Sequence, residues 1–389
     1  MAAGKFITGS SPMTALREPI PESAAAGRTR FAAARALLEQ AVTEQAFPGA
    51  AYGLLYQGEV LALDAVGRFT YEPDSPAVMH DTIYDLASVS KVMATTAIAM
   101  WLYDRRRLDL DLALGEVLPG FVVGGHHDPR RVRVTLRHLL AHASGLPGYG
   151  RLFEQNGTPS AMMRAALEMP LEAEPGTRVE YSDIGFMLLG KALEVLAGES
   201  LDALFAREIA APLGLGSARY NPPQDWRSLI PPTELDTWYR HRAIQGEVQD
   251  ENCHALGGVS GHAGLFAHVQ DVLRFAACML AGGRTSHGGQ LFSGMTVDLF
   301  SARQPEPPGT SRALGWDTPS QPSSSGNYFG PHSIGHLGYA GTSLWIDRDR
   351  SLAAVLLTNR TWPNRQTKAI QQVRPRFHDA LLEAVSASD

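Results

Sequence analysis

Strand-like segments lie near both ends of the chain, and the sequence between them is mainly helical. After FPG, the stretch AAYGLLYQGEVLALDAVGRFTY has the pattern of two strands around a turn, and GHLGYAGTSLWIDRDRSLAAVLLTNR has two short apolar runs separated by a charged turn. Between these ends, TLRHLLAHASGL and IGFMLLGKALEVLAG carry apolar residues at helical spacing. We therefore predict an α/β fold of the α+β kind, with one antiparallel sheet assembled from both termini and flanked by helices.

The length of the chain indicates more than one packed unit. With 389 residues it exceeds the usual size of a single core, so we expect two lobes or one domain with a large insertion. Residues 1–29 are rich in Pro, Ala and Ser and should form a loosely held leader. Residues 30–389 would form the domain, with a sheet lobe at about 30–90 and 255–389 and a mainly helical lobe at about 91–254. The active site is predicted in the cleft where the lobes join.

Composition excludes several classes of partner. The net charge of -6 and the isoelectric point near 6.1 argue against nucleic acid, whose binders usually concentrate basic surface. The longest apolar run, around VMATTAIAMWLY, is shorter than the roughly 20 residues needed to cross a bilayer, so no membrane partner is predicted. No secretory signal core is visible, which predicts a cytoplasmic location. Cys253 and Cys278 are too few for a disulfide framework and are expected to be reduced.

Ser88 and Lys91 lie three residues apart where a strand-like segment runs into an apolar helical run, in YDLASVSKVMATTAIAMWLYDRR. Positions three apart share one helix face, so the hydroxyl and the amine could reach hydrogen-bonding distance. Such a pair can also mark an ordinary helix start. Free amides in the first turn could stabilise an oxyanion, and the helix field and apolar surroundings should lower the pKa of Lys91. We therefore predict a serine nucleophile beside a neutral amine base.

Two further fragments carry candidate residues. Tyr181 in EYSDIGF lies immediately before a helix, where Ser182 or Asp183 could cap that helix while Tyr181 merely packs. His336 and Gly338 in GHLGYAG lie on an apparent strand, where the glycine would let a ligand approach the backbone. The chain has no GxSxG elbow, so the usual α/β-hydrolase route is unsupported.

No metal site is predicted. Cys253, His254 and His262 are close in sequence, but their spacing matches no standard zinc pattern. His262 could instead line a glycine-rich loop near the cleft or pack as a structural histidine. His138 and His142 lie four apart on a helical segment, a spacing compatible with metal binding, and we interpret them as structural.

Taken in order, SVSK, YSD and HLG resemble the three-motif signature of the serine β-lactamase and penicillin-binding-protein superfamily, especially its class C β-lactamase-like branch. That branch includes family VIII carboxylesterases and DD-peptidases, and the resemblance covers most of the chain from about Arg30. It implies that Ser88 is the acylated nucleophile, Lys91 its proton acceptor and Tyr181 the phenol that relays the proton to the leaving group. It also implies an oxyanion hole formed by the backbone amides of Ser88 and Tyr339, and no cofactor.

Two departures from the family pattern bear on the substrate. Asp183 replaces a frequent asparagine, and an ionised carboxylate cannot donate an amide hydrogen bond. His336, Leu337 and Gly338 replace Lys-Thr-Gly, with loss of a permanent cation and a hydroxyl that could hold a substrate carboxylate. A neutral small-molecule ester therefore fits better than a β-lactam-like substrate. We predict a carboxylesterase for small or medium acyl esters; the alternatives are a β-lactamase or D-alanyl-D-alanine carboxypeptidase, and a catalytically silent penicillin-recognising sensor module.

Overall fold

A computed structural model describes residues 29–123, 128–155 and 157–386. The predicted leader at 1–29 lies, except for its last residue, outside the described residues. The strands, in chain order, are β1 Gly49–Tyr56, β2 Glu59–Gly67, β3 Tyr84–Asp85, β4 Arg219–Tyr220, β5 Glu234–Asp236, β6 Arg242–Ile244, β7 Leu265–Ala267, β8 Ile334–Leu337, β9 Ser343–Asp347 and β10 Leu352–Thr358.

The helices are mostly short and lie between the strands of the two termini. The α-helices are α1 Ala32–Thr43, α2 Ala97–Asp104, α3 Leu114–Val117, α4 Gly120–Val123, α5 Leu136–Leu140, α6 Leu152–Gln155, α7 Pro159–Glu168, α8 Asp183–Ala197, α9 Leu201–Leu204, α10 Ala211–Leu213, α11 Glu251–Ala255, α12 Val269–Leu280, α13 Gly294–Ser301 and α14 Ile370–Ser386. Wider π-helical turns at Lys91–Thr96 and Phe205–Ala210 lead into α2 and α10, and 3-10 turns occupy Ala87–Val89, Pro129–Arg133 and Gln224–Leu229.

The largest sheet joins the two ends of the chain, as predicted. Its five strands run antiparallel in the order β2–β1–β10–β9–β8, and the pairing of β1 with β10 sets Ala50 opposite Thr358. The other named strands lie in two smaller sheets, β3–β7–β4 and β5–β6. The C-terminal segment forms three strands where two apolar runs were expected, because the residues around His336 pair with β9.

Both faces of the large sheet are covered, which explains why β1 and β10 are almost continuously apolar. Along β10 the side chains alternate: Ala353 and Val355 join one core cluster, and Leu352 and Leu356 join the other. One face packs against α1 and α14, and the other against α12. The apolar cluster on the α12 face continues into α2, α5 and α8, so one apolar core links the sheet to the helices.

The strands β3 and β8 position the helix start that carries Ser88. β3 pairs with β7 and then turns into the segment that carries Ser88, while β8 forms an edge of the large sheet. The Thr342 hydroxyl donates to the Leu86 carbonyl at 2.9 Å and so ties the turn after β8 to the residues before Ser88. No helix among residues 29–123, 128–155 and 157–386 has the length and apolarity needed to cross a membrane. The predicted lobe boundaries stay a prediction.

Candidate active site

Ser88 lies in the 3-10 turn at the start of the helical run, half-buried and facing a cavity. The preceding residue, Ala87, has φ +47°, a conformation that costs free energy for a non-glycine residue and is frequent at functional sites. Asp85 holds this bend: its carboxylate accepts the Ala87 amide at 2.8 Å and the Gln249 amide at 2.8 Å. Burial raises the pKa of Asp85 to about 6, although these two amides oppose the rise. The turn is therefore fixed by residues from distant parts of the chain.

Lys91 lies against Ser88 as the spacing predicts. Its Nζ donates to Ser88 Oγ at 2.9 Å and to the His262 carbonyl at 2.9 Å, and the side chain is fully buried. The third neighbour is the Asp183 carboxylate, whose Oδ1 is 2.7 Å from Nζ in an ion pair. The buried Lys91 amine is thus in direct contact with both the Ser88 hydroxyl and the Asp183 carboxylate.

The prediction that Lys91 has a lowered pKa is wrong. Burial does lower the pKa of the ammonium, but the charge of Asp183 and the neighbouring Tyr181 outweigh it, and the pKa of Lys91 is raised. The apolar surroundings and the helix field are visible in the sequence, but the contact between Asp183 and the Lys91 amine is formed only in the folded chain. The resting site therefore holds a lysine–aspartate ion pair.

The loop that supplies the His262 carbonyl reaches Lys91 through a close backbone contact. A Cβ at Gly261 would lie 2.0 Å from the Phe186 carbonyl oxygen, so only glycine permits this approach to α8. Thr95 donates to the Gly261 carbonyl at 2.7 Å and fixes the same loop to the lysine-bearing helix. The His262 ring is held between Ser260 and Asp250, with both contacts at 2.8 Å. His262 therefore positions Lys91 through its main chain.

Tyr181 precedes α8, and the predicted cap is confirmed for Ser182, whose hydroxyl accepts the Gly185 amide at 2.8 Å. Lys91 Nζ lies 4.9 Å from the centre of the Tyr181 ring, so Tyr181 faces the ion pair as well as packing. Burial raises the pKa of Tyr181 despite the opposing charge of Lys91, which keeps the phenol protonated. His142, interpreted as structural, packs against this ring with the two ring centres 4.6 Å apart, and it accepts the Ser182 amide at 3.0 Å, so it supports Tyr181.

The strand side of the site is built by His336 and Gly338. A Cβ at Gly338 would lie 1.9 Å from Thr342 Oγ1 and 2.6 Å from the Leu86 carbonyl oxygen. The glycine is thus required by backbone packing beside the Ser88 turn, where the sequence predicted room for a ligand. His336 is buried; its Nδ1 contacts the Leu337 carbonyl oxygen at 2.9 Å, and burial together with the charges of Lys91 and Arg312 lowers its pKa well below the ordinary value. His336 is therefore neutral.

A cavity of about 640 Å³ opens over these groups and is lined by all the predicted site residues except Lys91, which lies beneath it: Ser88, Tyr181, Asp183, His336, Gly338 and Tyr339. Among the described residues, neither the Ser88 amide nor the Tyr339 amide donates to a backbone carbonyl. Both amides therefore keep an N–H free for the oxygen of a reacting carbonyl, which is the requirement of an oxyanion hole. The exposed rings of Tyr149, Trp238 and Tyr339 line the same cavity.

The cavity also contains charged residues that the sequence analysis did not single out. The long loop before β8 contributes Arg312, and the C-terminal segment contributes Arg360, Arg365 and Arg374. Carboxylates also line the cavity, among them Asp250. Burial raises the pKa of Asp250, but the His262 contact outweighs it and lowers that pKa to about 2. In the sequence, the Pro- and Gly-rich loop at 304–333 was the one feature that pointed to a functional role for Arg312, because long loops in compact domains are often functional.

The residues considered for metal binding have other contacts. Cys253 Sγ donates to the Ala263 carbonyl at 3.3 Å, and His138 Nδ1 accepts the Thr135 amide at 3.2 Å as part of a helix cap. Within residues 29–123, 128–155 and 157–386, no group of three or more His, Cys, Asp or Glu side chains has the geometry to hold a metal ion.

Replacement of Asp183 by asparagine should move the acid limb of the pH–rate profile. Removing the carboxylate removes the charge that raises the pKa of Lys91, so the neutral amine would form at lower pH. We expect the midpoint of kcat/KM for a nitrophenyl ester to fall by roughly 1 to 3 pH units. Asp317→Asn is the control: Asp317 also lines the cavity, but its carboxylate lies near Arg312 and not Lys91, so the midpoint should stay in place. An unmoved midpoint in Asp183→Asn would mean that Lys91 does not titrate in the reaction.

Comparison with known proteins places the chain in a family. The family model described as Beta-lactamase matches residues 34–374. The chain is 32% identical over 349 residues to the "N-acetylmuramyl-L-alanine amidase" of Bacillus subtilis (strain 168), covering 81% of this chain and 77% of that protein. It is 33% identical over 312 residues to the "Putative D-alanyl-D-alanine carboxypeptidase" of Escherichia coli (strain K12), covering 72% of this chain and 69% of that protein.

Solved structures share the fold at lower sequence identity. EstCE1, "a hydrolase with promiscuous acyltransferase activity", superposes with a TM-score of 0.72 at 23% identity, covering 92% of this chain and 100% of that chain. A penicillin-binding protein homologue from Caulobacter crescentus gives a TM-score of 0.70 at 18% identity, covering 91% and 97% of the two chains. With the family model matching most of its length, the chain belongs to the β-lactamase family, within the superfamily of serine β-lactamases and penicillin-binding proteins.

Proposed function

We propose that this hydrolase of the β-lactamase family is a carboxylesterase for small or medium acyl esters, acting through an acyl-enzyme on Ser88. The observation that carries the proposal is the 2.9 Å contact between Ser88 Oγ and Lys91 Nζ at the floor of an open cavity. A nucleophile, a base within hydrogen-bond reach and free amide donors are the parts that acyl transfer needs.

The reaction would run in two halves. Ser88 Oγ attacks the ester carbonyl and gives its proton to Lys91 in molecules whose amine is neutral, while the amides of Ser88 and Tyr339 receive the oxyanion. The intermediate then collapses: the bond from the carbonyl carbon to the leaving oxygen breaks as that oxygen takes the proton through the Tyr181 phenol, so the alcohol departs and Ser88 keeps the acyl–serine bond. Water, deprotonated by the same groups, cleaves that bond and releases the carboxylic acid. Because the ion pair with Asp183 keeps most Lys91 protonated, turnover should rise with pH.

Two features support an ester over a lactam or peptide. The Asp183 carboxylate is held by Lys91, so the position two after Tyr181 presents no amide donor to a substrate amide. His336 is neutral, so its strand offers no cation from that position. Ester bonds also demand less help from a leaving-group acid than amides do. A site with a protonated base is therefore better suited to the easier bond.

We expect nitrophenyl esters of short acids to be cleaved with at least about 10²-fold higher kcat/KM than a chromogenic cephalosporin or a D-Ala-D-Ala peptide, since each missing charge-assisted contact is worth roughly 1.5 to 3 kcal/mol. The measurement is a side-by-side rate panel on one preparation, with Ser88→Ala as the blank. If kcat/KM for the D-Ala-D-Ala peptide equalled that for the best ester, the protein would be a carboxypeptidase and not an esterase.

Carboxypeptidase or amidase activity is the second candidate. It is supported by the relatives named above and by the arginines around the cavity, because a peptide product or substrate end carries a carboxylate. The sensor alternative differs in kinetics: it would be acylated once and held. Intact-mass measurement after removal of the free substrate distinguishes it, since an acyl-enzyme that then persists for hours contradicts a hydrolase.

A further inference from the structure

Asp250 presents to the cavity a carboxylate oxygen that accepts no hydrogen bond from the protein. Its Oδ1 accepts the Cys253 amide and His262 Nε2, each at 2.8 Å. Within residues 29–123, 128–155 and 157–386, no hydrogen bond reaches its Oδ2, although the side chain lines the cavity and is 22% exposed. The low pKa of Asp250 keeps the group ionised. Its outward oxygen therefore brings negative charge to the cavity wall.

The other carboxylates that line the cavity differ, because each has a cation or a pair of backbone amides beside it: Asp85 accepts two amides, Asp183 pairs with Lys91, Glu251 pairs with Arg365, and Asp317 lies 3.8 Å from Arg312. Arg365 is shared between Glu251 and Glu234, so its charge is already matched twice. The partner of Asp250 is an imidazole, which is not a permanent cation and whose second nitrogen meets the Ser260 hydroxyl at 2.8 Å.

Tyr149 supplies an exposed aromatic ring to the same part of the cavity. Burial, followed by the charge of Asp250, raises the pKa of its phenol, so the ring and the carboxylate lie close enough to interact. Among the described residues, no Lys or Arg lies over the Tyr149 ring. The two other exposed rings of the cavity are already covered: Arg151 lies 5.3 Å from the centre of Trp238, and Arg360 lies 4.3 Å from that of Tyr339. A carboxylate beside an open aromatic face is suited to an organic cation.

The position of Asp250 assigns this cation to one part of the substrate. Gln249, the residue before Asp250, donates its amide to Asp85 at 2.8 Å, which places Asp250 beside the bend that leads into Ser88. Tyr181 instead faces His336, at 5.9 Å between ring centres. Because the leaving group must face Tyr181 to take its proton, a group that reaches Asp250 belongs to the acyl part.

We propose that Asp250 and Tyr149 bind an ammonium group on the acyl part of the substrate, so that the preferred substrates are esters of acids that carry a positive charge. The inference rests on the proposed acyl transfer at Ser88 and names its substrate class. The lack of a lysine on β8 weighs against an anionic substrate, and it does not weigh against a cationic one.

Nitrophenyl esters of two matched acids test this. One is 4-(trimethylammonio)butanoic acid, which carries a permanent positive charge, and the other is 5,5-dimethylhexanoic acid, its neutral isostere. In the unmodified protein, kcat/KM relative to the spontaneous rate should be at least about 10-fold higher for the charged ester. Asp250→Asn keeps the oxygen that His262 contacts and removes the charge, so it should lower the charged-to-neutral ratio by about 10- to 100-fold.

Variants of Tyr149 and Asp317 supply the controls. Tyr149→Phe keeps the aromatic face and should keep most of the ratio, whereas Tyr149→Leu should lower it by about 3- to 10-fold. Asp317→Asn removes a different carboxylate of the same cavity, one that lies near Arg312, and should leave the ratio in place.

An unchanged ratio in Asp250→Asn, even with lower rates for both esters, would overturn the proposal, because Asp250 would then act only by positioning His262. A second measurement needs no turnover: in calorimetry, Ser88→Ala protein should bind the methyl ester of the charged acid at least about 10-fold more tightly than the methyl ester of the neutral acid. Equal affinities there overturn it as well. Failure of the unmodified protein to cleave either nitrophenyl ester would contradict the proposed function instead, and the binding comparison would still decide the role of Asp250.

Discussion

Replacing Ser88 by alanine should reduce ester hydrolysis by roughly 10⁴- to 10⁶-fold, because removing the nucleophile of a covalent mechanism leaves only binding and oxyanion stabilisation. The change removes a half-buried hydroxyl that accepts a hydrogen bond from Lys91. The fold should therefore survive, and the thermal midpoint should stay close to that of the unmodified protein. Rate and melting curve are measured on the same preparation.

A phosphonate probe and intact-mass measurement identify the reacting atom. One adduct per chain is expected, at Ser88, and none in Ser88→Ala. Ser90→Ala is the matched control, because Ser90 lies two residues away but is buried and accepts the Leu265 amide at 3.1 Å. That variant should keep its labelling. An adduct on Ser90 or Ser144 would remove Ser88 from the nucleophile's role.

Much of the fold could be predicted because its signals are local. The pair β1–β2 and the strands after His336 follow from alternating or continuous apolar runs around turns, and both end groups were assigned to one sheet. The contact between Ser88 and Lys91 could be predicted because positions three apart share one helix face. By contrast, β3 and the β5–β6 pair are only two or three residues long, so they have no periodicity to detect, and their pairing depends on tertiary contacts.

The electrostatics of the site could not be predicted in the same way. The charge state of Lys91 depends on Asp183, which α8 brings to 2.7 Å from Nζ, and no pattern near Lys91 reports that contact. The same holds for Asp85, whose amide partners come from its own turn and from Gln249. Arg312 lies in a loop without periodicity, and only the folded chain sets it over Tyr181. Burial alone predicts a neutral lysine, and the carboxylate reverses the sign.

Lys91 connects these elements. Its ammonium contacts the Ser88 hydroxyl, the Asp183 carboxylate and the His262 carbonyl, which come from three separated segments of the chain. A fully buried ammonium needs such compensation, because an unpaired charge in an apolar interior is strongly unfavourable. The same contacts that make the lysine tolerable in the core also hold it against the nucleophile. Its removal should therefore affect both rate and stability.

We expect Lys91→Ala to lower kcat/KM by roughly 10²- to 10⁴-fold, the usual contribution of a general base, and Tyr181→Phe to be severe on substrates with poor leaving groups. Because the two side chains act on one proton path, the double variant should lose less than the product of the single losses.

Lys91→Ala leaves Asp183 without its partner, so Lys91→Ala with Asp183→Asn serves as the control that removes the unpaired buried charge and isolates the catalytic loss. The unmodified protein and these four variants are compared on one activated nitrophenyl ester and one alkyl ester of the same acid. Near-normal turnover of the alkyl ester by Tyr181→Phe would return Tyr181 to a packing role, and strictly multiplicative losses would place Lys91 and Tyr181 on separate steps.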